Sequence, residues 1–340
     1  MTRFRNKLLA SIAIIGMAFA FGVPTLQAKE LKIATFMSPK HHLNSVVFKN
    51  LAEAVGKATG GSTTMKLYSG GQLGKGPVQQ YKRVVDNVAE VTFGIQGTTT
   101  KIFPRTMVVA QPAVGRTAVG ITEKLYGIYD RFLAGEYKRV KVLGLWANTP
   151  PVLISKKPIR KLSDIKGLKV RAMSATNIPQ INLWGSVGLA LPITKVYDAL
   201  DKGVIDVVHV AVNALYPPWR FAEIAKHVVD GLEGPTSLFF LAMNRKVWDG
   251  LPAADKGKID GLTGRQFGIE TARSWAKADV KAIANAKKGV GGVTYHMLSK
   301  SEAAPFDEST AQAVEKYLAA QEKKGVPARE IYAAVTKSGS

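Results

Sequence analysis

Residues 157–171 read KPIRKLSDIKGLKVR, an order that predicts a tight turn followed by a β-strand. Asp164 opens a short helical turn, because its carboxylate can accept hydrogen bonds from free backbone N–H groups. Gly167 can adopt the left-handed conformation that a reversal of the chain requires. The following strand carries Arg171 at its carboxyl end, the edge of an α/β sheet where ligands bind. A guanidinium there can hold a carboxylate through two parallel hydrogen bonds.

On both sides of this stretch, segments with the hydrophobic pattern of β-strands alternate with segments that have apolar residues at helical spacing. Runs rich in β-branched and aromatic residues predict strands at 31–36, 64–68, 89–94, 140–146, 152–155, 168–171, 204–210 and 238–243. Apolar residues at helical spacing predict helices at 45–58, 78–88, 177–187, 193–201 and 219–228. This alternation is typical of an α/β protein with a largely parallel sheet.

The C-terminal third has a different pattern. Residues 253–288 predict one long helix or two joined helices, and residues 309–323 predict a final helix. No repeat or linker separates two halves of the chain, which suggests domains that the chain crosses more than once. About 310 residues remain after the N-terminal segment, enough for two domains.

Residues 1–28 have the form of a secretory signal peptide. A short basic region precedes an apolar run at 8–23, and Ala28 is a small residue suited to cleavage. The run is shorter than the roughly 20 residues of a spanning helix, and an uncleaved anchor is the alternative. We therefore expect a periplasmic protein that begins at Lys29. The chain has no cysteine, so neither a lipid anchor at the cleavage site nor a disulfide can form.

The chain is strongly basic, which favours anionic partners. Its formal net charge is +22, and removal of Arg3, Arg5 and Lys7 leaves +19. The basic residues are scattered at helix-surface spacing and form no arginine-rich run, so we expect no nucleic-acid partner. A basic surface with one or two cations inside a ligand cleft accounts better for the charge.

Two segments resemble cofactor sites only in part. Residues 70–76, GGQLGKG, are one residue short of a phosphate loop, and Gly76 stands where Ser or Thr would hold magnesium. His41 and His42 are adjacent, and chain neighbours alone rarely form a metal site. We expect no cofactor and no metal, and the lack of a catalytic motif disfavours an enzyme.

Residues 157–171 also resemble a known family, the solute-binding subunits of tripartite ATP-independent periplasmic (TRAP) transporters, where this signature follows the hinge. Four more segments resemble the family in the same order: YSGGQLG at 68–74, GSVGLALP at 185–192, VYDALDKGVID at 196–206 and LAMNRKVW at 241–248. Five segments in order are more specific than any one of them, and together they cover nearly all of the chain after residue 28.

The resemblance implies an α/β, two-domain periplasmic binding protein fold with a cleft, hinge strands and a long domain-spanning helix. It implies domain I at 29–148 plus 237–276, and domain II at 149–236 plus 277–340. The implied function is capture of a small organic acid by a monomer that delivers it to membrane permease subunits. Two alternatives remain: a binding protein for a sensor or an ATP-driven importer, and a periplasmic enzyme on a similar scaffold.

The resemblance further implies that Arg171 holds the ligand carboxylate, with a surface salt bridge as the alternative role. Phe36 and Trp146 are expected at strand ends that face the cleft, where each could equally be core. Phe239 and Tyr216 are further candidates for the wall. Gln96, His209 and Asn213 are candidate hydrogen-bond partners.

Two positions depart from the sialic-acid-binding members of the family. Pro151 stands where those members have a second arginine, and Val210 stands where they have an asparagine. The departures imply a less polar site. We therefore expect monocarboxylates with an aromatic or branched apolar body to bind better than sialic acid.

Overall fold

The structure, a computed structural model, describes residues 28–337. Apart from Ala28, the expected signal peptide lies outside the described residues. None of the helices between residues 28 and 337 is long and apolar enough to cross a membrane.

The described chain alternates strands and helices over most of its length. The strands are β1 (Lys29–Ala34), β2 (Thr63–Tyr68), β3 (Val91–Ile95), β4 (Val140–Ala147), β5 (Val152–Ser155), β6 (Lys169–Ala172), β7 (Val187–Ala190), β8 (Val207–Val210), β9 (His227–Asp230), β10 (Leu238–Asn244) and β11 (Thr294–Met297). The α-helices are α1 (Lys49–Thr59), α2 (Gln80–Val85), α3 (Thr106–Val109), α4 (Ala118–Gly127), α5 (Ile178–Leu183), α6 (Val196–Asp201), α7 (Arg245–Asp249), α8 (Ala253–Leu262), α9 (Arg265–Lys287), α10 (Lys300–Glu322) and α11 (Ala328–Thr336).

The strands form two sheets. The first sheet has the order β2–β1–β3–β10–β4, and the second has the order β11–β9–β5–β8–β6–β7. Each sheet is parallel except for one internal strand, which is β10 in the first and β5 in the second. The predicted α/β class and the largely parallel pairing are therefore confirmed.

The antiparallel strand of each sheet is the one that enters from the other sheet. β5 follows β4 after only residues 148–151, and β10 follows β9 after residues 231–237. A strand that arrives by such a short crossing has no helix to reverse its direction, so it pairs antiparallel with its neighbours. The two crossings lie side by side, because the backbone N–H of Asn148 donates to the oxygen of Ser237 at 3.1 Å.

Both faces of each sheet are buried, which explains the continuous apolar runs in the sequence. In β10, Phe239 and Leu241 pack on one face of the first sheet, whereas Leu238 and Phe240 pack on the other. The second sheet likewise has separate cores on its two faces.

Two long helices connect the cores. α9 packs Ala272 and Trp275 into the core of the first sheet and Ala282 and Ala286 into that of the second. α10 begins on the second sheet with Phe306 and ends on the first, where its last turns and α11 join the core around Phe240. The two-domain fold with a domain-spanning helix is thus confirmed.

Candidate functional site

A cavity of about 260 Å³ lies between the two sheets. Its walls come from both: Ile95 and Phe239 belong to the first sheet, and Arg171 and Val210 belong to the second. The cavity lies beside the carboxyl ends of β3, β6 and β8, the position that α/β sheets use for ligands.

Arg171 reaches this cavity as predicted, through the local structure of residues 157–171. Residues 162–165 form a 3-10 turn, and the Asp164 carboxylate accepts the backbone N–H groups of Arg160 and Lys161 at 2.9 and 3.1 Å. Gly167 has a φ of +73°, the left-handed conformation that turns the chain into β6. Arg171 then pairs with Leu189 of β7 and Val208 of β8.

The guanidinium of Arg171 is held by backbone oxygens alone. Its Nε donates to the oxygen of Leu191 at 3.0 Å, and its Nη1 donates to the oxygen of His209 at 3.1 Å. An arginine side chain has five N–H hydrogens in a rigid fork. These two bonds therefore leave one hydrogen of Nη1 and both of Nη2, an arrangement that suits a carboxylate approaching the end of the fork.

The positive charge of Arg171 is buried without a counter-charge. The side chain is 5% exposed, and none of the ion pairs in residues 28–337 involves it. Burial lowers the pKa of Arg171 to about 10, because loss of water disfavours the charged form. An anion in the cavity would offset this cost.

The wall contributed by the first sheet is aromatic. The rings of Phe239 and Trp275 stack with centroids 4.6 Å apart and an interplanar angle of 24°, and both line the cavity. Phe239 was expected in the wall from sequence, whereas Tyr216 does not line the cavity. Together with Val210 and Leu191, these rings make a largely apolar chamber around one cation.

Phe36 and Trp146 do not line the cavity and lie one layer behind it. Trp146 is fully buried, with its ring stacked on Phe93 and Phe239 at 5.8 and 6.0 Å. Phe36 stacks on Phe93 at 5.3 Å, and the next residue, Met37, contacts the cavity instead. These rings support the aromatic wall from behind.

Gln96 and His209 also point away from the cavity. The Nε2 of Gln96 donates to the Tyr137 hydroxyl at 3.1 Å within the core. The His209 ring lies on the opposite face of β8 from Arg171 and contacts Trp184 at 5.6 Å. Burial and the nearby Arg171 lower the pKa of His209 to about 3, so its ring is neutral. Only its backbone oxygen serves the site.

Asn213 lines the cavity from a 3-10 turn after β8, at residues 212–215. Its backbone N–H donates to Oδ1 of Asp279 on α9 at 3.1 Å. Burial raises the pKa of Asp279 to about 7, opposed by hydrogen bonds from Thr149 and Asn213. This carboxyl group joins the long helix to the first crossing segment and to the cavity wall.

Most residues that line the cavity were not singled out by sequence patterns, among them Asn148 and Ser237 at the crossings, Ser174 after β6, and Trp275 on α9. Trp275 has the spacing of an ordinary core residue in an amphipathic helix, so nothing in the sequence indicates that it lines the cavity. Asn148 stands two residues before the Pro150-Pro151 pair, and its side-chain hydrogen bonds involve residues 236 and 237, far along the chain.

The two walls touch at the rim of the cavity. A Cβ placed on Gly97, after β3, would lie 3.2 Å from Cβ of Ser174, after β6. A Cβ on Gly76 would lie 3.9 Å from Oγ1 of Thr194. Glycines at these points let the two backbones approach each other at the rim.

Within residues 28–337, no group of three or more metal-ligating side chains is arranged to hold a metal ion. His41 and His42 instead pack against each other, with ring centroids 4.5 Å apart, and against Trp275. Burial lowers the pKa of both histidines, to about 4 for His42.

Two sheets with helices on their faces, four chain crossings between them and a cavity with a buried cation are typical of a solute-binding protein. The chain belongs to the bacterial extracellular solute-binding proteins of family 7 (DctP), whose sequence profile matches residues 33–321. The resemblance to TRAP solute-binding subunits is thereby confirmed.

Solved structures of similar fold include two TRAP solute-binding proteins. One, from a marine metagenome and specific for aromatic acid ligands, superposes with a TM-score of 0.86 at 23% identity, over 91% of this chain and 98% of that one. Another, from Rhodoferax ferrireducens T118 and complexed with copurified benzoate, superposes with a TM-score of 0.85 at 25% identity, over 91% and 96%. The 2,3-diketo-L-gulonate-binding periplasmic protein YiaO of Escherichia coli K12 is 25% identical over 264 residues, 74% of each chain.

Proposed function

We propose that this solute-binding protein captures a small aromatic or apolar monocarboxylate in the periplasm and delivers it, as a monomer, to the permease subunits of a TRAP transporter. The observation that carries the proposal is Arg171, a buried cation without an acidic partner among the described residues, in a chamber walled by Phe239 and Trp275. The N-terminal sequence pattern and the periplasmic relative support the location.

The ligand should be an anion, because an isolated buried charge costs more free energy than one paired with an opposite charge. The end of the Arg171 fork has three N–H hydrogens to offer, and a carboxylate accepts two of them in parallel. In a cavity that excludes water, the attraction between these charges is stronger than at the protein surface.

The body of the ligand should be apolar and small. The cavity of about 260 Å³ is lined more by apolar than by polar groups, which suits the body of a one-ring acid. Val210 lines the cavity at one position where sialic-acid binding would use a polar residue. Phe239 and Trp275 give this part of the wall an aromatic, apolar surface.

We propose that binding closes two domains around the ligand. The division expected from sequence is 29–148 plus 237–276 for the first domain and 149–236 plus 277–340 for the second. The packing of Val314, Tyr317 and Ile331 with the first sheet supports one change to this division, which assigns the end of α10 and all of α11 to the first domain. In the open form Arg171 would be hydrated, and closure would desolvate it only against the ligand.

A thermal-shift screen of the purified chain tests this function. The panel contains benzoate, phenylacetate, their hydroxylated forms, C4-dicarboxylates, glucuronate and sialic acid. At a hundred times its dissociation constant, a ligand stabilises the folded state by about 2.7 kcal/mol. We expect aromatic monocarboxylates to raise the melting temperature by a few degrees. Shifts with sugar acids or dicarboxylates alone would refute the proposed ligand class.

Delivery is tested separately, by uptake of the labelled ligand into cells with and without the neighbouring permease genes. Uptake that needs the binding protein and a permease, but no ATP hydrolysis, is expected. Uptake driven by ATP, or signalling without uptake, would assign the protein to an importer or a sensor instead.

A further inference from the structure

Asn148 holds a fixed amide at the carboxyl end of β4, on the same wall as Phe239. Its side chain is 4% exposed and lines the cavity. Its Oδ1 accepts the backbone N–H of Ser237 at 2.9 Å and the hydroxyl of Thr236 at 3.1 Å. A backbone N–H can only donate, so this contact fixes which side of the amide is oxygen.

The other side of the amide is therefore Nδ2. The side-chain hydrogen bonds of Asn148 in the described chain all end on Oδ1, which leaves the two hydrogens of Nδ2 for the cavity. Asn213 differs, because its Nδ2 is itself buried without a partner among residues 28–337, and its position is set through its backbone N–H.

Asn148 lies close to the carboxylate-binding strand but on the opposite wall. Ser237, which anchors its amide, places Oγ 3.6 Å from Sδ of Met173, two residues after Arg171. Arg171 belongs to the second sheet, whereas Phe239 belongs to the first and Asn148 directly follows β4 of that sheet. A ligand whose carboxylate is held by Arg171 therefore presents its body to Asn148.

We propose that Asn148 forms a second polar subsite, whose Nδ2 donates to a hydroxyl or carbonyl oxygen on the body of the acid. The inference rests on the proposed function and narrows its ligand class to hydroxy- or oxo-substituted aromatic acids. A buried donor left without an acceptor is unfavourable, so an unsubstituted acid would bind with this group unpaired.

Titration calorimetry with matched acids tests the subsite. Phenylacetate is compared with mandelate, phenylglyoxylate and 3-hydroxyphenylacetate, which each add one oxygen. The wild-type protein should prefer at least one oxygenated acid by roughly 5- to 10-fold, the effect of one hydrogen bond. In Asn148→Ala the ratio of the two affinities, oxygenated acid to phenylacetate, should fall to about one, whatever the change common to both acids.

A second variant separates recognition from structure. Asn148→Asp keeps an oxygen for Ser237 and Thr236 but replaces the Nδ2 donor with an acceptor. Its negative charge should weaken all acids, so the readout is the affinity for phenylglyoxylate relative to phenylacetate. The added oxygen of phenylglyoxylate can only accept a hydrogen bond, so this ratio should fall to about one or below, whereas a hydroxyl could still donate to the new carboxylate. Far-UV circular dichroism verifies that both variants fold.

Four outcomes would overturn the subsite. An oxygenated acid still preferred by Asn148→Ala, or no preference in the wild type, would show that Asn148 does not read this oxygen. If Asn148→Ala lost affinity equally for every acid, Asn148 would act instead on the carboxylate of the ligand or on the structure of the crossing segments. Wild-type protein that binds none of the acids would remove the proposed function and the subsite together.

Discussion

The backbone oxygen of His209 accepts a hydrogen bond from Nη1 of Arg171 at 3.1 Å, while the His209 ring lies on the other face of the same strand. With the Leu191 oxygen on Nε, this bond fixes the plane of the guanidinium and the direction of its free end. Both acceptors are main-chain atoms, so the orientation of Arg171 depends on the backbone of β8 and the loop after β7.

Arg171→Ala should weaken binding of the identified acid by roughly 100-fold or more, because loss of one partner of a buried charge pair costs about 3–5 kcal/mol. The affinity of Arg171→Lys should lie between those of the wild type and Arg171→Ala, since lysine keeps the charge and loses the planar fork. The control is Arg160→Ala, an exposed arginine from the same turn. Calorimetry decides, and unchanged affinity in a folded Arg171→Ala protein would remove Arg171 from the site.

Gly97→Ala should hinder closure of the cleft, because the new Cβ would lie 3.2 Å from Cβ of Ser174. We expect affinity to fall about fivefold, with little change in the melting temperature of the ligand-free protein. Ser174→Gly in the same chain should restore affinity. Gly135→Ala is the matched control, because its Cβ would have no neighbour within 4 Å. Equal effects of the two alanines would argue against a contact at the rim.

Asp279→Asn should change how stability depends on pH. Burial raises the pKa of Asp279 from 3.8 to about 7 in the folded chain. Between these values the folded state holds one proton more than the unfolded state, so its free energy of unfolding falls as pH rises. The loss reaches at most ~4 kcal/mol by about pH 7. The variant lacks this titration and should become more stable relative to the wild type across the same range.

Urea unfolding of both proteins at pH 5, 6, 7 and 8 measures this difference. The buried histidines His41, His42 and His209 have lowered pKa values, so they destabilise the fold as pH falls below about 6.5. They are common to both proteins and cancel in the comparison. A difference that does not vary with pH would mean that Asp279 is ionised throughout.

The mature N-terminus should be Lys29, or within a residue or two of it, when the protein is isolated from the extracytoplasmic fraction. Ala28→Arg should leave uncleaved precursor, because signal peptidases require a small residue before the cut. N-terminal sequencing and intact-mass measurement verify both. Intact Met1 on wild-type protein, or protein fixed in the membrane, would contradict export by cleavage.

The position of Arg171 was predictable from sequence because its causes are local. Asp164, Gly167 and four residues of strand lie within nine positions of one another, and turn chemistry sets their geometry. The side to which His209 points was not predictable, because all four residues of β8 are buried and its two faces carry no polar–apolar alternation. Trp275 and Asn148 reach the cavity through contacts with residues far along the chain.

Contacts with distant residues also limited the prediction of secondary structure, as residues 219–228 show. Their apolar residues repeat at helical spacing, and a helix was predicted. The structure has a short 3-10 turn at Phe221–Glu223 followed by β9. The prediction was wrong because β9 pairs with β5 and with β11, whose residues 294–297 lie more than sixty positions away. Pairing with strands this distant overrides the local pattern.

The position of β10 within the first sheet also determines when that sheet can be completed during synthesis. β4 has no partner in that sheet except β10, and 90 residues separate the end of β4 at Ala147 from Leu238. At about 5–20 residues per second, a ribosome would take roughly 5–18 s to supply the missing strand. Until β10 has been synthesised, β4 has no strand to pair with in the first sheet. The first sheet therefore stays incomplete throughout this interval, and its last pairing, between β4 and β10, must form late in synthesis.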